Sequence, residues 1–424
     1  TTGHSNTAIG SSALTDNQTG HSNVAVGDSA LANSTGNGNT AVGASTLQAT
    51  TTGFSNVAVG RLALTTNTTG NYNVGIGLNA LNYNLSGYEN TGVGTNAALS
   101  NTTGAKNVAL GMNALDANTS GGQNTAIGHN SLSSNTTASF NTAVGRSALA
   151  ANTTGTNNSI LGYNAAKSTT TGSSNVAIGT EALENNVTGA QNVAIGFQAL
   201  EDSTHGSNVA VGYQASRLQT SGQNNVAVGE NALDANLTSS YNTAIGKDSL
   251  TANTQSYNTA IGWMSGGANT SGQHNTFLGL STGSTNTTGS HNTIVGGSAA
   301  HSSGNGSYRT FVGREAGAYV SGSFNTSLGY QAHLGVSGSS TGSSNTSVGW
   351  AANRLLTTGG SNVAVGHQTN DAANTSGVTA IGGGALTNNT SDWTTAIGYN
   401  ALQDNTSGAK NIAVGAFSLK ENTT

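Results

Sequence analysis

Six consecutive repeats of this chain place a ring at one and the same position: Tyr241, Tyr257, His274, His291, Tyr308 and Phe324. The intervals are 16 or 17 residues. A structure that stacks the repeats therefore sets these rings in a single stripe, about 4.8 Å apart. Two chemistries fit such a stripe. Exposed rings beside Asn and Ser suit carbohydrate, whose faces lie on aromatic rings while its hydroxyls bond polar neighbours. Alternatively, the rings stack on one another and stabilise the array. His274 and His291 would be neighbours, but two imidazoles without a third histidine or a carboxylate nearby make a weak metal site. Asn17, Asn67, Asn118 and Asn286 head Asn-x-Ser/Thr triplets, the N-glycosylation pattern, although turn chemistry alone accounts for them.

No catalytic set stands out. The chain shows no Ser/His/Asp grouping, no paired acids and no phosphate loop; its Gly-rich stretches read as turns. Asp and Glu recur at no fixed phase, which argues against the calcium-binding class of β-roll. The expectation is a protein that is not an enzyme and uses no metal or cofactor.

The elements that position the stripe come from one pentapeptide: Asn, then Thr or Val, Ala, Ile or Val, and Gly. It runs from Asn6–Gly10 to Asn411–Gly415, at a spacing of 16 or 17 residues. Position two is β-branched in every repeat except that of Ser159, position four is aliphatic and position five is always Gly. Positions two and four share a face. They read as the inward side of a short strand, with the small position-three residue outward. A second inward segment follows, as at Ala13-Leu14, Ala30-Leu31 and Ala114-Leu115. Then comes a polar turn such as Asn67–Gly70, Asn101–Gly104 or Asn405–Gly408.

A coil this small cannot be stable alone and must stack on its neighbours. The reading is an all-β parallel β-solenoid of about 25 coils, roughly 120 Å long at the usual strand spacing. It is one continuous domain, 1–424. The repeats are regular over 1–254 and 376–424. Over 255–375 they degrade: Leu leaves the second segment, Phe277, Ile294 and Phe311 replace the small position-three residue, and one coil expands between Asn325 and Asn345. Recognition or simple drift would explain that stretch equally. Residues of equal phase then lie above one another. Asn84, Asn101, Asn118, Asn135 and Asn152 should form a side-chain ladder. Glu89 with Lys106, and Glu230 with Lys247, should pair across adjacent coils as register pins.

Only 6% of residues are charged and the net charge is −5, so neither nucleic acid nor an anionic membrane is an electrostatic partner. Proline, which would interrupt a ladder paired on both sides, is absent, as is cysteine. No apolar run approaches the length of a membrane-spanning helix.

The Asn-Val-Ala-Ile-Gly and Asn-Thr-Ala-Ile-Gly motifs resemble the head domains of trimeric autotransporter adhesins. That resemblance implies a left-handed β-roll and three chains side by side. Gly398-Tyr399-Asn400-Ala401-Leu402 with Asn405-Thr406-Ser407-Gly408 is similar to repeat regions of phage and marine-virus tail fibres. The functional expectation is an extracellular, cell-surface or virion fibre acting as shaft, spacer or filament subunit. The alternative is a receptor-binding fibre that recognises surface glycans through the ring stripe. An ice-binding surface is a minor option, since Thr recurs at fixed phase but flat Thr-x-Thr rows are not evident. Both chain ends, Thr1-Thr2-Gly3 and Asn422-Thr423-Thr424, fall in the turn phase without a cap, which leads us to expect continuation in a longer parent or by head-to-tail stacking.

Overall fold

Twenty-five three-residue strands, from Thr7–Ile9 to Ile412–Val414, carry the pentapeptides in the computed structural model, which describes residues 2–371 and 374–423. No helix occurs among the described residues. Thr1 and Thr424, the outermost residues of the expected stacking ends, lie outside them. Residues Thr1–Val211 and Gly212–Thr424 form two compact units. Within each, successive strands pair parallel and in register: Thr7, Ala8 and Ile9 sit beside Val24, Ala25 and Val26, and Thr243, Ala244 and Ile245 beside Thr259, Ala260 and Ile261. Each unit is a parallel β-solenoid with one strand per coil.

The strand faces are the reverse of those read from the sequence. Position three points inward: Ala25, Ala58, Ala126 and Ala244 are fully buried. Positions two and four point outward, with Val57 and Val59 each 37% exposed. The reason is volume. The second segment already delivers a buried Ala and Leu to the same narrow core, as at Ala63-Leu64 and Ala114-Leu115. Little more than a methyl group fits opposite them; a Cβ placed on Gly75 would lie 3.2 Å from the Leu64 side chain. An inward Val or Ile on every coil would overfill that space.

The degenerate coils obey the same rule. Phe277, Ile294 and Phe311 are fully buried, so they do not alter an outer face. Each is matched by a small residue where Leu normally stands: Gly266 and Gly283 flank the Phe277 ring, Gly317 meets Phe311, and Ala300 follows Ile294. A Cβ at Gly283 or Gly317 would overlap the facing ring. Ile160 with Ala166 repeats the exchange in the first unit. In the expanded coil the ladder register is kept, since Thr326–Leu328 still pairs with Thr346–Val348. The extra residues are taken up in a turn after Leu334, where Gly335 and Gly338 adopt φ of 78° and 73°.

Three further positions of the coil adopt the left-handed region, in most coils with non-glycine residues. In one coil these are Ser55, Leu62 and Leu64, with φ of 54°, 59° and 52°. None of the residues so placed is Val, Ile or Thr, whose branched Cβ is the least tolerant of this conformation. The chain therefore sorts its residues by backbone as well as by burial. β-branched side chains fill the strand, while Leu, Ser, Asn and unbranched or aromatic residues fill the corners.

Buried asparagine closes the coil. Position-one residues such as Asn56, Asn73 and Asn124 are fully buried. The Asn124 N–H donates to Asn107 Oδ1 at 3.0 Å, its Nδ2 donates to the Ala138 carbonyl at 2.9 Å, and its Oδ1 accepts the Asn141 N–H at 3.0 Å. One side chain thus ties its own coil to those on either side.

The volume exchange in the core yields a double-mutant test. Gly283→Leu alone should destabilise by ~1–3 kcal/mol through overpacking, and Phe277→Ala alone by ~3–5 kcal/mol through the cavity it leaves. Combined, they should cost at least ~1 kcal/mol less than their sum in chemical denaturation. Additive effects would show that the two sites do not share one volume.

Candidate functional site

The stripe exists, and its rings lie on one another. Tyr241, Tyr257, His274, His291, Tyr308 and Phe324 form five stacked pairs with centroids 4.9 to 5.3 Å apart and planes within 8° of parallel. All six residues are in the left-handed conformation, with φ between 57° and 65°, and the other coils, which place Ser, Asn, Gln, Glu, Lys, Gly or a further ring here, likewise never use a β-branched residue. Tyr241, Tyr257, Tyr308 and Phe324 remain about half exposed. Each interior ring nevertheless has a neighbouring ring over both faces. A sugar needs an open ring face, so the stack presents mainly edges and phenol hydroxyls. His274 and His291 lie parallel with centroids 5.0 Å apart. Parallel imidazoles direct their nitrogen lone pairs alongside one another and not toward a common point, so the pair does not converge on a metal.

The second asparagine column runs through Asn84, Asn101, Asn118, Asn135 and Asn152. Asn84 Nδ2 donates to Asn67 Oδ1, and the pattern repeats along the series at 2.7 to 3.0 Å. Each amide also donates to the turn carbonyl three residues on, as Asn101 does to Gly104 at 2.9 Å. This column includes the glycosylation triplets. Asn67, Asn118 and Asn286 are fully buried with Nδ2 engaged, so a glycan has no access to them in the folded coil. Asn17 is partly buried and donates to Gly20 at 3.1 Å.

Glu89 and Lys106 are 4.0 Å apart, and Glu230 and Lys247 are 3.0 Å apart. Glu230 raises the Lys247 pKa above its ordinary value, by hydrogen bond first and charge second. The same geometry joins Lys167 to Glu184, Arg217 to Asp234 and Arg354 to Asp371, pairs that the sequence reading did not single out. Glu181, Glu184 and Glu201 bring carboxylate oxygens within 4.8 Å of one another. Burial, with Glu181 adding repulsion, raises the Glu184 pKa. Lys167 and Gln198 already serve two of these three acids.

Three features escaped sequence reasoning. Further rings follow the pentapeptide directly, with Trp263, Tyr330, Trp350 and Tyr399 all exposed beside the outward strand face. Trp350 stacks on His367 at 4.3 Å. Phase alignment one residue after the glycine would have found them. Arg309 stands where position one is normally Asn, and it is fully buried. Its guanidinium donates to Asn292 Oδ1, Ser303 Oγ and the Val320 carbonyl at 2.9 to 3.1 Å, and burial lowers its pKa to about 10. It fills the gap left where Ser303 and Val320 replace the second asparagine column. His333 occupies the usual core Leu position, fully buried, with neither ring nitrogen hydrogen-bonded.

Taken together, the described residues offer stacked rings, amide ladders and ion pairs, and hydroxyl–imidazole contacts join the exposed sequence neighbours His4 and Ser5, His21 and Ser22, and Thr204 and His205. No protein-family model matches the chain, and no curated protein matches it either.

His333 gives the fold an acid-sensitive point. Burial lowers its pKa from 6.5 to about 4, so the unfolded chain takes up a proton that the folded core refuses. Stability is full above pH 6.5 and declines as pH falls toward 4, by about 3 kcal/mol in all. His333→Leu, which restores the common core residue, should flatten that decline in denaturation curves recorded between pH 7 and 4. An unchanged slope would mean that His333 stays uncharged in both states or is protonated without cost.

Proposed function

We propose that the protein is a non-enzymatic extracellular structural fibre whose outward strand face packs against further copies of the chain. The carrying observation is that face. Positions two and four are solvent-facing in strand after strand, and no charged residue stands at either position in any repeat. Ile76, Leu110, Ile178, Ile261, Leu278 and Ile397 are 37 to 44% exposed along it. At about 50 Å² per side chain, the twelve strands of the second unit offer well over the ~800 Å² per partner of a standard interface. Thr at position two and aliphatics at position four repeat at each coil step, so one copy's columns match another's in periodicity. An apolar face of this extent is unusual on a chain that stays alone in water.

Side-by-side packing of copies, three in the adhesin-like arrangement, is the assembly this face favours over purely end-to-end stacking. Parallel stacks of coils with amide and ring ladders suit a shaft or spacer, for which length and rigidity are the useful properties. Extracellular or virion location accompanies this reading. Glycan recognition along the ring stripe has less support, because the rings use their faces on one another.

Replacing Ile261 by Lys and Leu278 by Glu puts an adjacent pair of opposite charges on the face without entering the core. Sedimentation of the wild-type chain should show a discrete oligomer, and the double variant should sediment as a folded monomer. A wild-type monomer at micromolar concentration, or an oligomer indifferent to both charges, would contradict the proposal.

A further inference from the structure

A different segment of the coil, in the first unit, carries a site that the strand face does not explain. The residue two before each pentapeptide points its N–H along the stack, outside the strand ladder, and needs an acceptor from the next coil. In some coils of this unit a side chain of equal phase supplies it. The N–H of His21 donates to Asn37 Oδ1 at 3.0 Å, that of Phe54 to Asn71 Oδ1 at 2.9 Å, and those of Gly122 and Thr156 to Ser139 and Ser173 Oγ at 3.0 Å. At Tyr88 and Ala105 the next coils present Ala105 and Gly122, which have no acceptor, as also happens at Asn71, Ser173 and Ala190; only at Tyr88 and Ala105 does the gap coincide with a groove between two unpaired rings. Among the described residues, neither amide donates to a protein group.

The missing side chains leave a groove of about 370 Å³ at this place. Ala105 and Gly122 line it with the Tyr88 and Phe140 rings, which are 45% and 57% exposed. Those two rings come from coils three steps apart, about 14 Å at the usual strand spacing. Neither is paired with another ring among the described residues, in contrast to the stacked stripe. Gln123 and Lys106 add polar groups along one side.

We propose that this groove binds a short, uncharged oligosaccharide lying along the stack. Sugar oxygens accept the free N–H groups of Tyr88 and Ala105, and the outer residues lie on the Tyr88 and Phe140 rings. Two features exclude simpler ligands. A lone anion would not use two rings so far apart, and an apolar chain would leave both amides unpaired. The inference is independent of the proposed lateral packing, which uses the strand face.

The test follows from the way the other coils are built. Gly122 has an ordinary φ, and serine at the same phase accepts such an N–H elsewhere. Gly122→Ser should therefore supply the missing acceptor and close the groove, with a modest fall in melting temperature because its Cβ would lie 2.9 Å from the Ala105 carbonyl oxygen. Cellotriose and chitotriose would be titrated calorimetrically into the full chain, its variant and Phe140→Ala. The expected result is binding of at least one trisaccharide by the wild type. Gly122→Ser should abolish it and Phe140→Ala should weaken it about tenfold or more. Phe140 is exposed, so that variant tests the site even if Gly122→Ser fails to fold. Absence of wild-type binding to either sugar, or equal binding by the variants, overturns the proposal. Loss of binding with oligomerisation intact would separate this site from the strand face.

Discussion

Everything in these coils depends on hydrogen-bonding asparagine where water cannot reach. Two amide columns run beside a core made mainly of Ala and Leu, one at the strand entry and one at the polar turn. A buried amide left unpaired costs about 1–3 kcal/mol, so each column is stable only if it is continuous. Continuity shapes the repeat: most coils return an asparagine at the same phase, and where Ser34 or Thr50 takes the turn position its buried hydroxyl has no partner. Arg309 shows the tolerance of the rule. Its long side chain crosses from the first column to the second and satisfies both where Ser303 and Val320 interrupt the latter. A buried cation is accepted because carbonyl and amide oxygens surround it, though burial still depresses its pKa.

The backbone imposes the second constraint. Three left-handed residues per coil, together with the glycine after the strand at φ of 122° to 149°, turn the chain through a closed circuit, in most coils in 16 or 17 residues. Those corners admit Leu, Asn, Ser and aromatic side chains but not β-branched ones. The aromatic stripe therefore sits at a corner, where a flat ring can project along the stack and meet its neighbours. Its rings serve cohesion, while open ring faces occur where the repeat leaves aromatics isolated, as at Tyr88 and Phe140.

Much of this was legible in the repeat. Period, strand, corner glycine and the asparagine ladder all follow from residues that recur at fixed phase, because stacking converts phase into proximity. The inward face was not legible from alternation. A three-residue strand of Val-Ala-Val has two faces, and hydrophobicity favours the wrong one. What decides is volume, and the signal for volume lay in paired exchanges: Phe277 with Gly283, Phe311 with Gly317, Ile160 with Ala166. Large residues at position three coincide with small ones at the Leu position because the two share a space. The groove was illegible for another reason. It is defined by side chains that are missing, and an absence among Ala and Gly reads as ordinary turn composition.

The most direct test compares a buried asparagine with an exposed one. Asn124→Ala removes an acceptor of the Asn141 N–H and a donor to the Ala138 carbonyl, whereas the exposed Asn157 side chain donates to Thr156 Oγ1 alone. Chemical denaturation should show a loss of about 2–4 kcal/mol for Asn124→Ala and under about 0.5 kcal/mol for Asn157→Ala. Native-state hydrogen exchange should show the Asn141 amide losing protection in the first variant alone. Equal stability of the two variants, with Asn141 still protected, would contradict the claim that buried amide ladders hold the coils together.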